Sequence, residues 1–222
     1  ITKFYKKISD NLVKPVSIGG DHSITGGILR GISGENSKLT NGKPVSLLHI
    51  DAHTDTWPEF AGSKFHHGAP FRLATDEGLI DPHRTVQIGI RGGQNFADGL
   101  DYSRDKGMRV ITIEEFDDLG WEAVAEEAKR IVGEGPVYLT FDVDGLDPAY
   151  TPGTGTPESG GITMREAQRL IRAFSGVELI GGDVVEVSPP LDLSGMTSLN
   201  GATILFEILC LLAEHVTLPP IN

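Results

Sequence analysis

Residues 48–55 read LHIDAHTD, an apolar run that ends abruptly in acids and histidines at every second position. In an extended chain, residues i, i+2 and i+4 point to one face. Asp51, His53 and Asp55 are therefore expected to converge where a strand over residues 45–50 runs out. Two carboxylates held that close repel strongly unless a cation lies between them, so a divalent metal is the natural occupant. The alternative for this stretch alone is a polar loop behind a strand.

Working outward, the spacing recurs. Residues 138–146, YLTFDVDGL, carry a second apolar strand into Asp142 and Asp144, again two apart. A third strand, residues 16–18, runs into Gly19, Gly20, Asp21 and His22, which brings another imidazole to a strand end. Open parallel sheets bind ligands at the carboxyl ends of their strands. Up to four carboxylates and two histidines then share one rim, which is too many ligands for one zinc and suits two metals. An oxygen-rich, mixed donor set favours manganese-like ions.

Composition sets the frame. With 222 residues, 39% of them hydrophobic, the chain can bury one sizeable core without disulfides, and a single domain over residues 1–222 is expected. The only cysteine, Cys210, sits in the apolar run 208–212 and is expected as a buried core thiol. No apolar stretch reads as long enough to span a bilayer and no signal peptide is recognisable, so a cytoplasmic protein without a membrane partner is expected. The formal net charge of -12 argues against nucleic-acid binding and is compatible with a cationic substrate.

Periodicity and breakers predict helices over 1–12, 24–32, 71–79, 121–132, 163–174 and 198–216, with further strands over 85–90, 109–113 and 178–186. Ser23 or Asp21 lies near the start of the second helix, and Thr163 caps the helix whose inward residues are Met164, Ala167, Leu170, Ile171 and Phe174. Val124, Ala128 and Ile131 form the buried stripe of 121–132. The strand 178–186 ends on Glu186, and residues 57–67 read as a loop folded over the strand ends. Strands alternating with helices give an α/β protein with a parallel sheet.

At these residues the sequence resembles the ureohydrolase family, the arginases and agmatinases, and the agmatinase or guanidino-compound branch more closely. The motifs are GGDHS at 19–23, DAHTD at 51–55, HHGAPFR at 66–72, FDVDGLDP at 141–148, GTGTP at 153–157 and EVSPP at 186–190, in family order. The resemblance covers nearly the whole chain. It implies a three-layer α/β/α sandwich with a mainly parallel central sheet, with the family's first strand and leading helix falling upstream of Ile1. An uncovered sheet edge near residues 16–18 is then expected.

The same resemblance implies a binuclear site of His22, Asp51, His53, Asp55, Asp142 and Asp144, with Asp51 and Asp142 bridging two Mn2+ ions, Ni2+ being the alternative. His22 and Asp55 would complete one site, His53 and Asp144 the other. Metal-bound hydroxide would attack a guanidinium carbon and release urea and an amine. Asp55 counts among the residues catalysis needs, Glu186 would pair with the guanidinium, and His67 would shuttle the proton, with His66 the weaker candidate. After DAHTD the stretch TWPEFAGSKF replaces the threonine-, serine- and asparagine-rich arginase segment, which argues against arginine as substrate. Trp57, Glu59, Lys64 and Phe65 would line a pocket for agmatine, a guanidino acid or a compact guanidine, or would only pack a lid. The competing readings are a formimidoyl or amide hydrolase on the same scaffold and a noncatalytic partner subunit. A trimer or hexamer is what the resemblance implies for assembly.

Overall fold

The computed structural model describes residues 1–94 and 97–214. Six strands form one all-parallel sheet: β1 (Val16–Ile18), β2 (Val45–Ile50), β3 (Ile80–Ile90), β4 (Arg109–Thr112), β5 (Val137–Asp142) and β6 (Leu179–Val185), in the spatial order β1-β6-β5-β2-β3-β4. Strands β2, β5 and β6 are buried at every residue, as expected of a parallel sheet covered on both faces. On one face lie α1 (Thr2–Asp10), α2 (Ser23–Ile32), α3 (Pro70–Asp76) and α4 (Ala97–Asp105). On the other lie α5 (Ile113–Val132), α6 (Met164–Ala173) and α7 (Met196–Ala213), whose inward residues join the larger core cluster. The three-layer α/β/α expectation holds.

Local chemistry explains most boundaries. Thr163 and Glu166 form a reciprocal capping box at the start of α6, worth about 1 kcal/mol against an uncapped end. Thr112 caps α5 by accepting the Glu115 N–H, so Ile113 opens that helix and does not close β4 as the pattern suggested. Gly120, at φ 78, breaks α5 internally; its inward stripe is Val124, Ala125, Ala128 and Val132, with Ile131 half-buried. Strand β3 starts five residues before the expected 85, because the chain already pairs with β2 at Ile80 and resumes register at Thr85 past an irregularity.

Helix α7 corrects two expectations. By length and composition it is apolar enough to cross a membrane; here Ile204, Ile208, Leu211 and Leu212 use that character to pack on the sheet. Cys210 is exposed, not buried, because it falls on the outward face with Phe206 and Leu209. The last residues of the expected 198–216 helix lie outside the described residues. Strand β1 is the edge of the sheet, and its Ile18 is 55% exposed, in line with the uncovered edge anticipated at 16–18.

Chain order decides where a ligand can enter. From β2 the chain moves outward through β3 to β4, then returns to place β5 on the other side of β2 and moves outward again to β6. Connections diverge at the β2–β5 boundary, the switch point where open α/β sheets form a crevice at the carboxyl edge. LHIDAHTD leaves β2 there and FDVDGL leaves β5 there.

Candidate metal centre

All six expected ligands meet at this boundary, and each is buried: His22, Asp51, His53, Asp55, Asp142 and Asp144 are between 0% and 6% exposed. Their convergence does not come from strand alternation, which is a correction. Strand β2 has ended at Ile50, and Asp51 Oδ1 accepts the backbone N–H of His53 at 2.6 Å, turning the chain. Asp142 Oδ1 accepts the Asp144 N–H at 2.9 Å in the same way, inside the 3-10 turn Val143–Gly145. Aspartate closes such turns through its own side chain. Each spacing of two is thus the signature of a carboxylate bonded to the N–H two residues on.

Further constraints bring the two turns together. A Cβ on Gly145 would lie 3.0 Å from Asp51 N and 3.2 Å from Asp51 Cα, so this position admits little more than glycine. Arg91 threads its guanidinium among the carbonyls of Gly89, Asp144, Gly145, Leu146 and Glu158, tying the acidic turn to the 153–161 loop. Asp55 has φ 50 and Glu186 φ 62, left-handed conformations that an aspartate tolerates and a glutamate seldom adopts.

Distances within the cluster divide it in two. His22 Nδ1 stands 2.8 Å from Asp55 Oδ2, 3.2 Å from Asp142 Oδ2 and 3.4 Å from Asp51 Oδ2. None of these contacts has hydrogen-bond geometry, so this buried nitrogen lies among carboxylates without a hydrogen bond, while its Nε2 meets Thr140 Oγ1 at 2.9 Å. His53 Nδ1 stands 3.2 Å from Asp144 Oδ2 and 3.5 Å from Asp51 Oδ1. Asp51 therefore offers one oxygen to each imidazole. Two groups, His22 with Asp55 and Asp142, and His53 with Asp144, share it.

Four carboxylates in one buried volume need compensating positive charge. Burial and the charge of Asp51 push Asp55 up to about 7, and burial with neighbouring carboxylates also raises Asp142 and Asp144. Burial works to raise Asp51 too, yet His49, His22 and His53 hold it well below the usual carboxylate range. Burial lowers His53, but Asp144 and Asp51 outweigh it and push it up to about 11; Asp142, Asp51 and Asp55 likewise raise His22 against burial. Protons hold the cluster together where cations are the better occupants. Four carboxylates and two inward imidazole nitrogens, one of them the His22 Nδ1 that makes no hydrogen bond, fit divalent ions, and Asp51, His53 and Asp144 offer ligand atoms within 4.8 Å of one another.

Around the cluster stand the other anticipated residues. Glu186 begins where β6 ends and is half-buried; its Oε1 accepts the His22 N–H at 2.6 Å, and burial raises its carboxyl. The His66 ring donates to Pro58 O at 2.8 Å, which spends it on holding the loop. His67 is half-buried and meets the Trp57 ring edge-on at 5.8 Å; Trp57 in turn meets His53 at 5.7 Å. Trp57 is buried, and a Cβ on Gly68 would overlap its ring, so glycine in HHG is what lets the loop close over it. Glu59, Lys64 and one edge of Trp57 line a cleft of about 400 Å³ that holds none of the six ligands, and Phe65 lies outside it, 66% exposed beneath Arg30.

Residues the sequence reading passed over include Thr156, whose Oγ1 donates to Asp144 Oδ2 at 3.1 Å, and His49, whose Nε2 lies 2.7 Å from Asp51 Oδ2. The signal for His49 was a polar residue near the end of an apolar strand, two positions before Asp51.

Comparison with known proteins gives the family of the chain. The arginase family model matches residues 1–211. Guanidinopropionase of Pseudomonas aeruginosa is 51% identical over 215 residues, 96% of this chain and 65% of that protein. The mitochondrial guanidino acid hydrolase of Homo sapiens is 46% identical over 98% of this chain and 60% of its own length. The solved proclavaminate amidinohydrolase of Streptomyces clavuligerus superposes with a TM-score of 0.88 at 42% identity, over 96% of this chain and 68% of that one. The chain spans about 60–65% of the length of these two curated relatives. Matched over nearly all its residues, it belongs to the arginase family.

Proposed function

We propose that this chain carries the site of a binuclear-metal hydrolase that cleaves a guanidino compound, agmatine-like or a guanidino acid, to urea and an amine. The observation that carries the reading is the buried cluster in which Asp51 faces both His22 and His53 while His22 Nδ1 has no hydrogen-bond partner. His22, Asp51, His53, Asp55, Asp142 and Asp144 would hold two Mn2+ ions. When bound, such ions supply Lewis acidity and an activated water. The guanidino-hydrolase names of the relatives support the substrate class. A cytoplasmic homo-oligomer, trimer or hexamer, belongs to the same proposal, and light scattering with cell fractionation tests it.

The chain's own residues supply the rest. Glu186 keeps Oε1 on the His22 N–H, which fixes its carboxylate beside the cluster and leaves Oε2 without a donor among the described residues. A planar guanidinium suits that remaining acceptor capacity through charge-assisted, two-point pairing. His67, held edge-on by Trp57 at the loop, is placed in this reading to deliver a proton to the leaving nitrogen.

Glu186→Gln tests the reading against an amide or formimidoyl hydrolase, for which a guanidinium partner would be idle. Urea release should fall on the order of 100-fold or more, from loss of a charge-assisted contact worth a few kcal/mol, with both metals retained by elemental analysis. Parental urea release with full metal content would discard the guanidinium role.

A further inference from the structure

One row of the sheet lies directly beneath the candidate ligands. Ser17, Asp183, Thr140, His49 and Gln87 occupy successive register positions across β1, β6, β5, β2 and β3, and none is more than 9% exposed. A parallel sheet interior is ordinarily filled by aliphatic side chains, so polar groups here need partners. Thr140 meets His22 Nε2, and Asp183 accepts from Thr25 and Tyr138. The His49–Gln87 pair is the part of this row that reaches a ligand carboxylate.

Its proton positions follow from the hydrogen bonds. Gln87 Nε2 lies 2.6 Å from the Thr54 carbonyl oxygen and 3.1 Å from His49 Nδ1. Reversing the amide would press two acceptor oxygens together at the Thr54 contact, so nitrogen faces both groups and donates to both. His49 Nδ1 is then the acceptor, the ring proton sits on Nε2, and Nε2–H donates to Asp51 Oδ2 at 2.7 Å. Phe71, with its ring centre 4.4 Å away, and His22, at 5.5 Å, pack against the imidazole. Asp51 thus receives one donor on each oxygen, His49 on Oδ2 and the His53 N–H on Oδ1, and each oxygen keeps lone-pair capacity toward a different imidazole.

We propose that His49, locked in its Nε2–H form by Gln87, is a positioning residue that aims Asp51 at both metal sites at once. The inference rests on the metal-centre reading above but not on the substrate. Groups that orient a metal ligand from behind typically change affinity by 10- to 100-fold when removed.

The test is Mn2+ affinity of the full chain by competition with a chelating dye, alongside the melting temperature and circular dichroism of the metal-free protein. His49→Phe keeps a flat ring but no donor, and Mn2+ binding should weaken about 10- to 100-fold. His49→Gln restores an N–H and should recover most of that loss. Gln87→Glu, near-identical in shape, sets an acceptor against the Thr54 carbonyl as well as against His49; it draws the ring proton to Nδ1, turns a lone pair toward Asp51 and should weaken binding beyond any loss of melting temperature. If His49→Phe fails to fold, the Gln and Glu variants decide. Affinities within about twofold of the parent for Gln87→Glu and a folded His49→Phe would overturn the proposal, being far below the effect expected of such a group. Complete loss of one metal equivalent in His49→Gln would also overturn it, making His49 a ligand itself, since its ring atoms lie within 4.8 Å of ligand atoms of His22 and Asp51. A parent chain that binds no Mn2+ would remove the metal centre as a whole, an outcome distinct from either.

Discussion

Laid side by side, the turn after β2 and the turn after β5 perform one backbone operation and are secured by different means. In both, an aspartate at the strand end bonds the N–H two residues on. After β5 the chain stays short and tight, running through a 3-10 turn to Gly145, pressed against the Asp51 backbone. After β2 it leaves through a left-handed Asp55 into the long 56–69 loop, and its aspartate is held by side chains, His49 and behind it Gln87. In the turn after β5 the backbone itself is held, by close packing at Gly145 and by Arg91 on its carbonyls, whereas in the turn after β2 the carboxylate of Asp51 is held by a chain of side-chain hydrogen bonds. Backbone packing fails by destabilising the fold, whereas a side-chain support fails by misaiming a ligand.

The largest expected effect breaks the symmetry of the pair. Asp142→Asn removes charge from the tight turn while its amide oxygen can still accept the Asp144 N–H, so the fold should persist. Mn2+ affinity and urea release should fall together, on the order of 100-fold. Metal content unchanged after desalting would take Asp142 out of the site.

A second experiment sharpens the contrast. Gly145→Ala pushes a methyl group onto Asp51 N and Cα, where no flexible side chain can yield. Overpacking of this kind costs about 1–3 kcal/mol, so denaturant unfolding should shift for Gly145→Ala, whereas His49→Phe should act mainly on affinity. Equal shifts for both variants would erase the distinction between the turns.

The smallest effect is in pH. Asp55 is raised to about 7 and His53 to about 11 in the folded, metal-free chain. Both bind protons more tightly folded than unfolded, so the stability they contribute is lost as pH rises, through the window from 3.8 to about 7 for Asp55 and from 6.5 to about 11 for His53. The melting temperature of the metal-free protein should fall between about pH 6 and 9, by several degrees at most. With Mn2+ the fall should vanish or reverse, because ligands must lose protons to bind. A flat metal-free profile would mean that the cluster is not proton-held.

Particular residues show how far sequence reading carried. Strands over 16–18 and 45–50 were legible to the residue, because short runs rich in Val, Ile and Leu, VSI and VSLLHI, end in glycine or acid. The convergence of the six candidate ligands was legible from motifs at strand ends, although the 51/53 and 142/144 spacings reflect aspartate turns and not an extended strand. Helix α4 was missed because ADGLDYSRD has little apolar periodicity; it inserts the small residue Ser103 beside Thr56, and Gly99 beside Trp57. Gln87 was out of reach, since its importance comes from being paired across strands with His49, and register between distant strands is written nowhere along the chain. Cys210 was misplaced because a continuously apolar helix hides which face is inside.

The left-handed backbone at Glu186 has a consequence for how such a protein would drift under selection. Asparagine or glycine at this position would relieve strain of order 1 kcal/mol that glutamate retains. A screen rewarding heat resistance alone, blind to turnover, should therefore enrich Asn or Gly at 186 early. Asp55 meets the same left-handed demand with a residue type that already tolerates it, so that position should stay quiet in the screen. Sites where stabilising substitutions are easy to find, yet a costly residue stands, mark where function has been kept at the expense of the fold.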